Sequence, residues 1–340
     1  MKPVSLIFFI MSESFLIPAF SFAVELNPPT SRAFSGNVFE YIDYVQSASS
    51  GRKESGMFGM TRDEGVRFHE GVDIRSFFRD DSGKPVDGVF AVLSGKISHL
   101  CGEINGSYGR YVVLEHSDGK ILFYTLYAHL DSLNPSLSEG QRVEKGEFLG
   151  VLGRTSSVYD FPKGTEHLHF EVGLRLGGES FIRWYERTFP RDDKNLHSFW
   201  NGLNLSGTDP TAFFSSFSRF RDFSSWMDST LDTAFSVVVR SKKIPEILEF
   251  SPGLLRGNMT EYISGWRADF SWSGMPLRFY PIEEKDVGDI KEGMNIDFVY
   301  EKYLLLSEKR GMILNSGGRI LPGKGLRAVV EIIFGEDFRE

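Results

Sequence analysis

The chain of 340 residues contains one cysteine, Cys101, so no disulfide can close within it and no thiolate zinc site can form. It also lacks a long basic run. Lys and Arg number 38 against 46 Asp and Glu, a formal net charge of −8, and nothing in the sequence tracks a phosphate backbone, which argues against nucleic acid as a partner. No stretch reaches the ~20 uninterrupted apolar residues that a membrane span needs. Histidine is absent from the C-terminal part, since none of the seven follows His197. With 41% apolar and 25% charged residues, the composition is that of a globular chain long enough for two domains of roughly 100–200 residues each.

The N-terminus has the features of an address. Lys2 precedes an apolar stretch from Val4 to Met11, a polar break at Ser12-Glu13-Ser14 and a second apolar run from Phe15 to Ala23. Ser21 and Ala23 stand where a signal peptidase reads small residues, which predicts a signal peptide over 1–23 and export to the periplasm or cell wall. A retained hydrophobic anchor is the alternative. An exported chain without disulfides needs a large core, and a β core supplies one.

Residues 24–56 are polar and read as an N-terminal segment with at most one short helix. From Met57 to Val172, short apolar runs recur at 89–93, 111–115, 121–128, 148–152 and 167–172. Turn signals such as Ser117-Asp118-Gly119 separate them, which predicts an antiparallel β domain. The stretch Gly177–Gly207, with the charged patch 191–194, reads as an insertion or long loop. Phe213, Phe214, Phe217, Phe220 and Phe223 then fall at helix-like spacing, and packing against a neighbouring layer accounts for them better than an aromatic sugar-binding stripe. Beyond about Ala234 the strand pattern returns, including 244–250, 294–306 and 326–334, and predicts a smaller β-rich accessory domain.

The chemistry is concentrated in two segments. In His69-Glu70-Gly71-Val72-Asp73 an imidazole and a carboxylate lie four residues apart around a glycine that allows a tight turn. In Glu166-His167-Leu168-His169-Phe170-Glu171, period-two spacing puts His167, His169 and Glu171 on one face of a strand. Two imidazoles and a carboxylate suffice to hold a catalytic divalent ion, with zinc the leading choice. A His-Glu-x-x-His helix is excluded, because position 73 is Asp and Gly71 disfavours a helix. Glu171 reads either as orienting a ligand histidine or as a strand position that is solvated or in a salt bridge. Tyr124 and Tyr127 read as one groove-lining residue and one packing residue. His99, His116, His197 and Cys101 read as outside the site.

These segments, together with Phe58-Gly59-Met60, Tyr127-Ala128-His129-Leu130, the stretch Gly88–Ile97 and the stretch Gly140–Gly150, resemble the lysostaphin/LytM-type zinc metallopeptidases, which cut peptide bonds in bacterial peptidoglycan. The resemblance covers about residues 57–214, with 178–206 longer than in compact members, and leaves 215–233 as a helical or linker segment and 234–340 as the accessory domain. It implies a mainly β fold: an antiparallel sheet with a groove. It further implies that His69, Asp73 and His169 bind Zn2+ and that His129 and His167 are catalytic. His129 enters through the resemblance alone. The implied activity is that of an exported endopeptidase hydrolysing peptidoglycan cross-links or stem peptides by metal-activated water, with a regulatory wall-enzyme partner conceivable. The alternative is a non-catalytic wall-binding or amidase-activating member, though such members lack site residues and all five are present here. Gly153-Arg154-Thr155-Ser156-Ser157 and the loop 158–166 depart from the family pattern, and their expected effect is on substrate preference rather than catalysis.

Overall fold

The computed structural model describes residues 24–31, 41–48, 50–190, 193–290 and 293–338; the expected signal peptide over 1–23, and Arg191 and Asp192 of the charged patch, lie outside the described residues. Among those described, no helix is long and apolar enough to cross a membrane.

The fold is mainly antiparallel β. A hairpin of β1 (Gly59–Arg62) and β2 (Arg67–His69) leads into β3 (Val72–Arg75). Then come β4 (Gly95–Asn105), β5 (Gly109–Ser117), β6 (Leu122–Ala128), β7 (His167–Arg175) and β8 (Leu205–Thr208). They form a sheet in the order β8-β7-β6-β5-β4, with the short strand Arg142–Val143 beyond β4. Apolar residues at alternate positions of these strands, among them Val112, Leu114, Leu168, Phe170 and Val172, are buried in one core.

Strand β7 organises the site because it has three partners. One edge pairs with β6, and the other is divided between β3, along His167–Phe170, and β8, along Val172–Arg175. Gly71 sits at the division, where an added Cβ would lie 2.3 Å from the Phe170 carbonyl oxygen. Close backbone approach thus requires this glycine.

The stretch expected as an insertion or long loop after β7 holds helix α1 (Glu179–Thr188). The phenylalanine series lies on α2 (Pro210–Ser216), a following turn, and the start of α3 (Phe223–Thr230). Asp209 caps α2 by accepting from the Thr211 N–H, with Pro210 in the first turn, and Asp222 caps α3 in a reciprocal capping box with Ser225. Phe213, Phe217 and Phe223 are buried beside Trp226, and Phe223 stacks on Phe123 with centroids 4.0 Å apart. The series is packing.

A second antiparallel sheet comprises β9 (Phe235–Val239), β10 (Gly265–Phe270), β11 (Pro276–Ile282) and β12 (Met294–Val299), in the order β11-β10-β9-β12. Three expected strands here are wholly or partly helical. Residues 247–250 form one turn of helix, the run 294–306 breaks at Tyr300 into β12 and α4 (Glu301–Lys309), and 326–334 lies within α5 (Lys324–Phe334). Leu326, Val330, Ile333 and Phe334 are spaced to bury one helical face, a pattern that a continuous apolar run conceals.

The two sheets share a core. The Ser251 hydroxyl oxygen accepts from the Leu122 N–H at 3.0 Å, the Gly253 N–H donates to the Lys120 carbonyl at 2.8 Å, and the Trp184 indole N–H donates to Glu331 at 2.9 Å.

Candidate active site

Strand register brings the site together. Asp73 and His169 are direct partners across β3 and β7, and His169 also faces Ala128 on β6, so His129 emerges beside it at the strand end. His69 closes β2, and His167 shares the face of His169 two residues away. All five residues assigned through the family resemblance are buried and line one cavity.

Backbone carbonyls set the imidazole tautomers, because a carbonyl can only accept. Nδ1 of His69 donates to the Met57 carbonyl at 2.9 Å, Nδ1 of His129 to Thr155 at 2.9 Å, and Nδ1 of His167 to Thr165 at 2.8 Å. Each of the three is left with Nε2 as its free lone pair. His169 is reversed: its Nε2 donates to Glu171 at 2.9 Å, so Nδ1 points to the centre. There His69 Nε2 lies 3.1 Å from His169 Nδ1 and 3.1 Å from Asp73 Oδ1, and His169 Nδ1 lies 3.0 Å from the same oxygen. Donors about 2.0–2.1 Å from a tetrahedral centre stand ~3.3 Å apart. The donor set therefore fits one small divalent ion. The rings of His129 and His167 lie 4.8 Å apart, and His129 is 5.7 Å from His169.

Burial strongly opposes the Asp73 carboxylate, yet the imidazoles gathered around it, His169 through a hydrogen bond, hold its carboxyl well below the usual range. Burial lowers His129 far below an ordinary imidazole, and His167 and His169 reinforce it; burial also lowers His167 despite the attraction of Asp73. Both are neutral at pH 7. At His169, burial is outweighed by hydrogen bonds to Asp73 and Glu171, and the imidazole is pushed up to about 10. A proton on Nδ1 then bridges His169 to Asp73, and a metal ion bound there takes the proton's place.

Several residues that the sequence analysis left open or passed over belong to the site. Glu171 is fully buried and accepts from His169, from the Tyr108 hydroxyl at 2.7 Å and from the Tyr124 hydroxyl at 2.8 Å, so it holds the His169 imidazole and is no solvated strand position. Tyr124 and Tyr127 are both buried and neither lines the cavity; Tyr108 does. Phe161 packs edge-on against His129 at 4.8 Å and His167 at 5.0 Å. The divergent 153–166 region thus bears directly on His129 and His167, through Phe161 and the Thr155 and Thr165 carbonyls. Arg62 donates through Nη2 to Asp73 Oδ2 and, at 3.0 Å, to His69 Nε2. Only spatial proximity reveals it, because the tight turn Asp63-Glu64-Gly65, all three at positive φ, separates it from the motif.

Of the remaining histidines two are elsewhere, and the third, expected outside the site, reaches the cavity wall. His116 is buried against Phe123 and lowered to about 4 by burial, and His99 pairs with Glu139 at 3.1 Å. His197 lies on the cavity wall with Nδ1 2.7 Å from the Tyr111 hydroxyl. Burial pushes the Cys101 thiol up, against a thiolate nucleophile.

The cavity measures about 1280 Å³. Residues 67–180, which include His69, Asp73, His129, His167 and His169, match the family model of peptidase family M23. Over this segment the chain is similar to peptidase family M23. Among solved structures the chain is similar to a zinc-containing peptidase from Vibrio cholerae, at 25% identity over 38% of this chain and 35% of that one, with a TM-score of 0.26. It is also similar to the catalytic domain of the antimicrobial peptidase lysostaphin from Staphylococcus simulans, at 22% identity over 47% of this chain and 88% of that one, with a TM-score of 0.29. A peptidase M23 structure from Pseudomonas aeruginosa shares 23% identity over 31% of this chain and 37% of that one, with a TM-score of 0.23. The chain spans little more than a third of the Vibrio and Pseudomonas proteins. No curated protein matches it. The five site residues come from three separate stretches of chain that meet along β7.

Proposed function

We propose that the chain is an exported zinc-dependent endopeptidase that hydrolyses peptide bonds in peptidoglycan cross-links or stem peptides. One observation carries the reading: His69 Nε2, Asp73 Oδ1 and His169 Nδ1 meet within 3.1 Å of one another on a cavity wall, with two neutral imidazoles beside them. Two nitrogens and one anionic oxygen are a catalytic zinc set, in which three protein ligands leave a position for water or substrate. Held there, zinc supplies acidity to a water molecule and polarises the scissile carbonyl.

The chain's own residues move the proton. His129 and His167 have Nδ1 tied to carbonyls, so each has an Nε2 lone pair to accept a proton from water. Once protonated on Nε2, that imidazole donates the proton to the leaving amine, and the other can steady charge on the carbonyl oxygen only when its own Nε2 carries a proton. Glu171, anchored by Tyr108 and Tyr124, keeps the His169 ring in one orientation. The apolar leader supports export, and the likeness of the motifs to wall-lytic peptidases supports the substrate.

A second reading, a non-catalytic member of the fold, draws on the Arg62 contact, because a guanidinium bonded to His69 Nε2 occupies the lone pair that a metal requires there, while its bond to Asp73 falls on Oδ2. Release of soluble fragments from purified peptidoglycan by the zinc-loaded chain separates the two. His129→Ala and His167→Ala should each retain zinc and lose at least ~100-fold in rate. Equal loss of zinc in these variants would overturn the division between ligands and catalytic residues, and no fragments from the zinc-loaded wild type would favour the second reading.

A further inference from the structure

The accessory region does more than buttress the peptidase segment. On the wall of the same cavity that holds the five site residues stand Ser273, Arg310, Met312, Gly325, Ala328 and Val329, all from the C-terminal part. This wall is held in place. Trp272 packs edge-on against Phe58 at 6.0 Å and Phe68 at 5.7 Å, and an added Cβ at Gly59 would touch its ring at 3.2 Å. The hairpin carrying Phe68, the residue next to the expected ligand His69, is therefore locked against the accessory sheet.

Arg310 is the one cation of this wall. It follows the last turn of α4, where its N–H donates to the Leu306 carbonyl, and its guanidinium lies 4.0 Å over the Phe68 ring. Its Nε is buried and has no hydrogen-bond partner. Among the described residues no carboxylate lies within 4.0 Å of it; Glu70, also on the cavity wall, acts on it only across space. Burial opposes its charge, yet a guanidinium remains charged at any pH the protein meets. A stacked, largely buried guanidinium with an unused donor is a costly arrangement unless a ligand completes it. Its planar fork matches a carboxylate in two parallel hydrogen bonds.

We infer that Arg310 anchors a free carboxylate of the peptide substrate, so that the accessory region sets specificity from the far wall of the cavity. The inference rests on the peptidase reading and names its substrate class: peptides carrying a carboxylate on the part that lies along Phe68 and Glu70. Arg310 is a binding residue and takes no part in the proton transfers.

The test uses the full chain and soluble stem-peptide fragments, native and with their carboxylates converted to carboxamides. Binding is read by calorimetry on a His129→Ala background, where no turnover intervenes, and KM and kcat are read on the active chain. The wild type should bind the native fragments about tenfold tighter than the amidated ones. Arg310→Met should erase that preference by weakening the native fragments alone, and should raise KM for them with kcat nearly unchanged. Arg310→Lys should keep part of the preference, which separates lost charge from a misfolded wall. Equal preference in wild type and Arg310→Met would overturn the inference, as would equal binding of both fragments by the wild type. A carboxylate preference without cleavage of either fragment would instead sink the peptidase reading and leave the Arg310 site standing. Cleavage without preference would do the reverse.

Discussion

Arg62 and a metal ion compete for the same electrons. With Nδ1 of His69 committed to Met57, its Nε2 has one lone pair, which either accepts from Arg62 or binds a cation. The guanidinium also brings positive charge against the Asp73 carboxylate. Arg62→Ala should therefore tighten zinc binding about tenfold, the equivalent of roughly 1.4 kcal/mol and the low end of what a charge-assisted hydrogen bond contributes. Competition against a chelator of known affinity measures it; unchanged or weaker affinity would mean that Arg62 supports Asp73 instead of displacing the ion. Glu171→Gln should act oppositely and weaken zinc binding by ~10–100-fold, because the partner that orients His169 loses its charge. His69, Asp73, His167, His169 and Glu171 were legible as candidates from residue type and spacing, while the proposed division into ligands and catalytic residues came from the family resemblance. Arg62, Tyr108 and Thr155 were not, since nothing in their spacing marks them: they reach the site through a tight turn, a strand end and a carbonyl oxygen.

The division of the β7 edge between β3 and β8 turns a flat sheet into a site. Asp73 faces His169 only because β3 ends at that division, and Gly71 lets the chain leave the edge past the Phe170 carbonyl. Gly71→Ala puts a methyl group 2.3 Å from that oxygen. It should destabilise the metal-free protein by about 1–3 kcal/mol, as overpacking does, and disturb zinc affinity with it. Thermal unfolding checks the first effect, and an unchanged midpoint would show that β3 and β7 can separate freely. Strands with clean apolar runs, such as β5, β6 and β7, were readable from the sequence. Strand β4 was not, because its burial alternates poorly over Gly95–Asn105. The segment 326–334 was misread because a short run apolar almost throughout satisfies strand and helix alike, and only packing of α5 beside α1 decides between them.

The two sheets form one core, and this changes what truncation can reveal. Phe123 stacks on Phe223, Asp118 accepts from the Ser224 N–H and hydroxyl, and the Trp184 indole needs Glu331. A chain ending after residue 233 should therefore lose its cooperative unfolding transition or aggregate, with Trp184 left without its buried acceptor. A soluble fragment melting at the full-length temperature would instead mark the C-terminal part as an independent module. The same joint core brings Arg310 to the wall of the cavity that also holds the five site residues, so the C-terminal part and segment 67–180 form one body. The central claim is a zinc ion held by His69, Asp73 and His169. X-ray absorption and metal analysis of the full chain test this most directly. The account predicts about one zinc per chain, with two imidazole nitrogens and oxygen donors at ~2.0–2.1 Å, and loss of the ion in Asp73→Ala and His169→Ala. A chain that takes up no zinc, or whose bound zinc survives both substitutions, would contradict it.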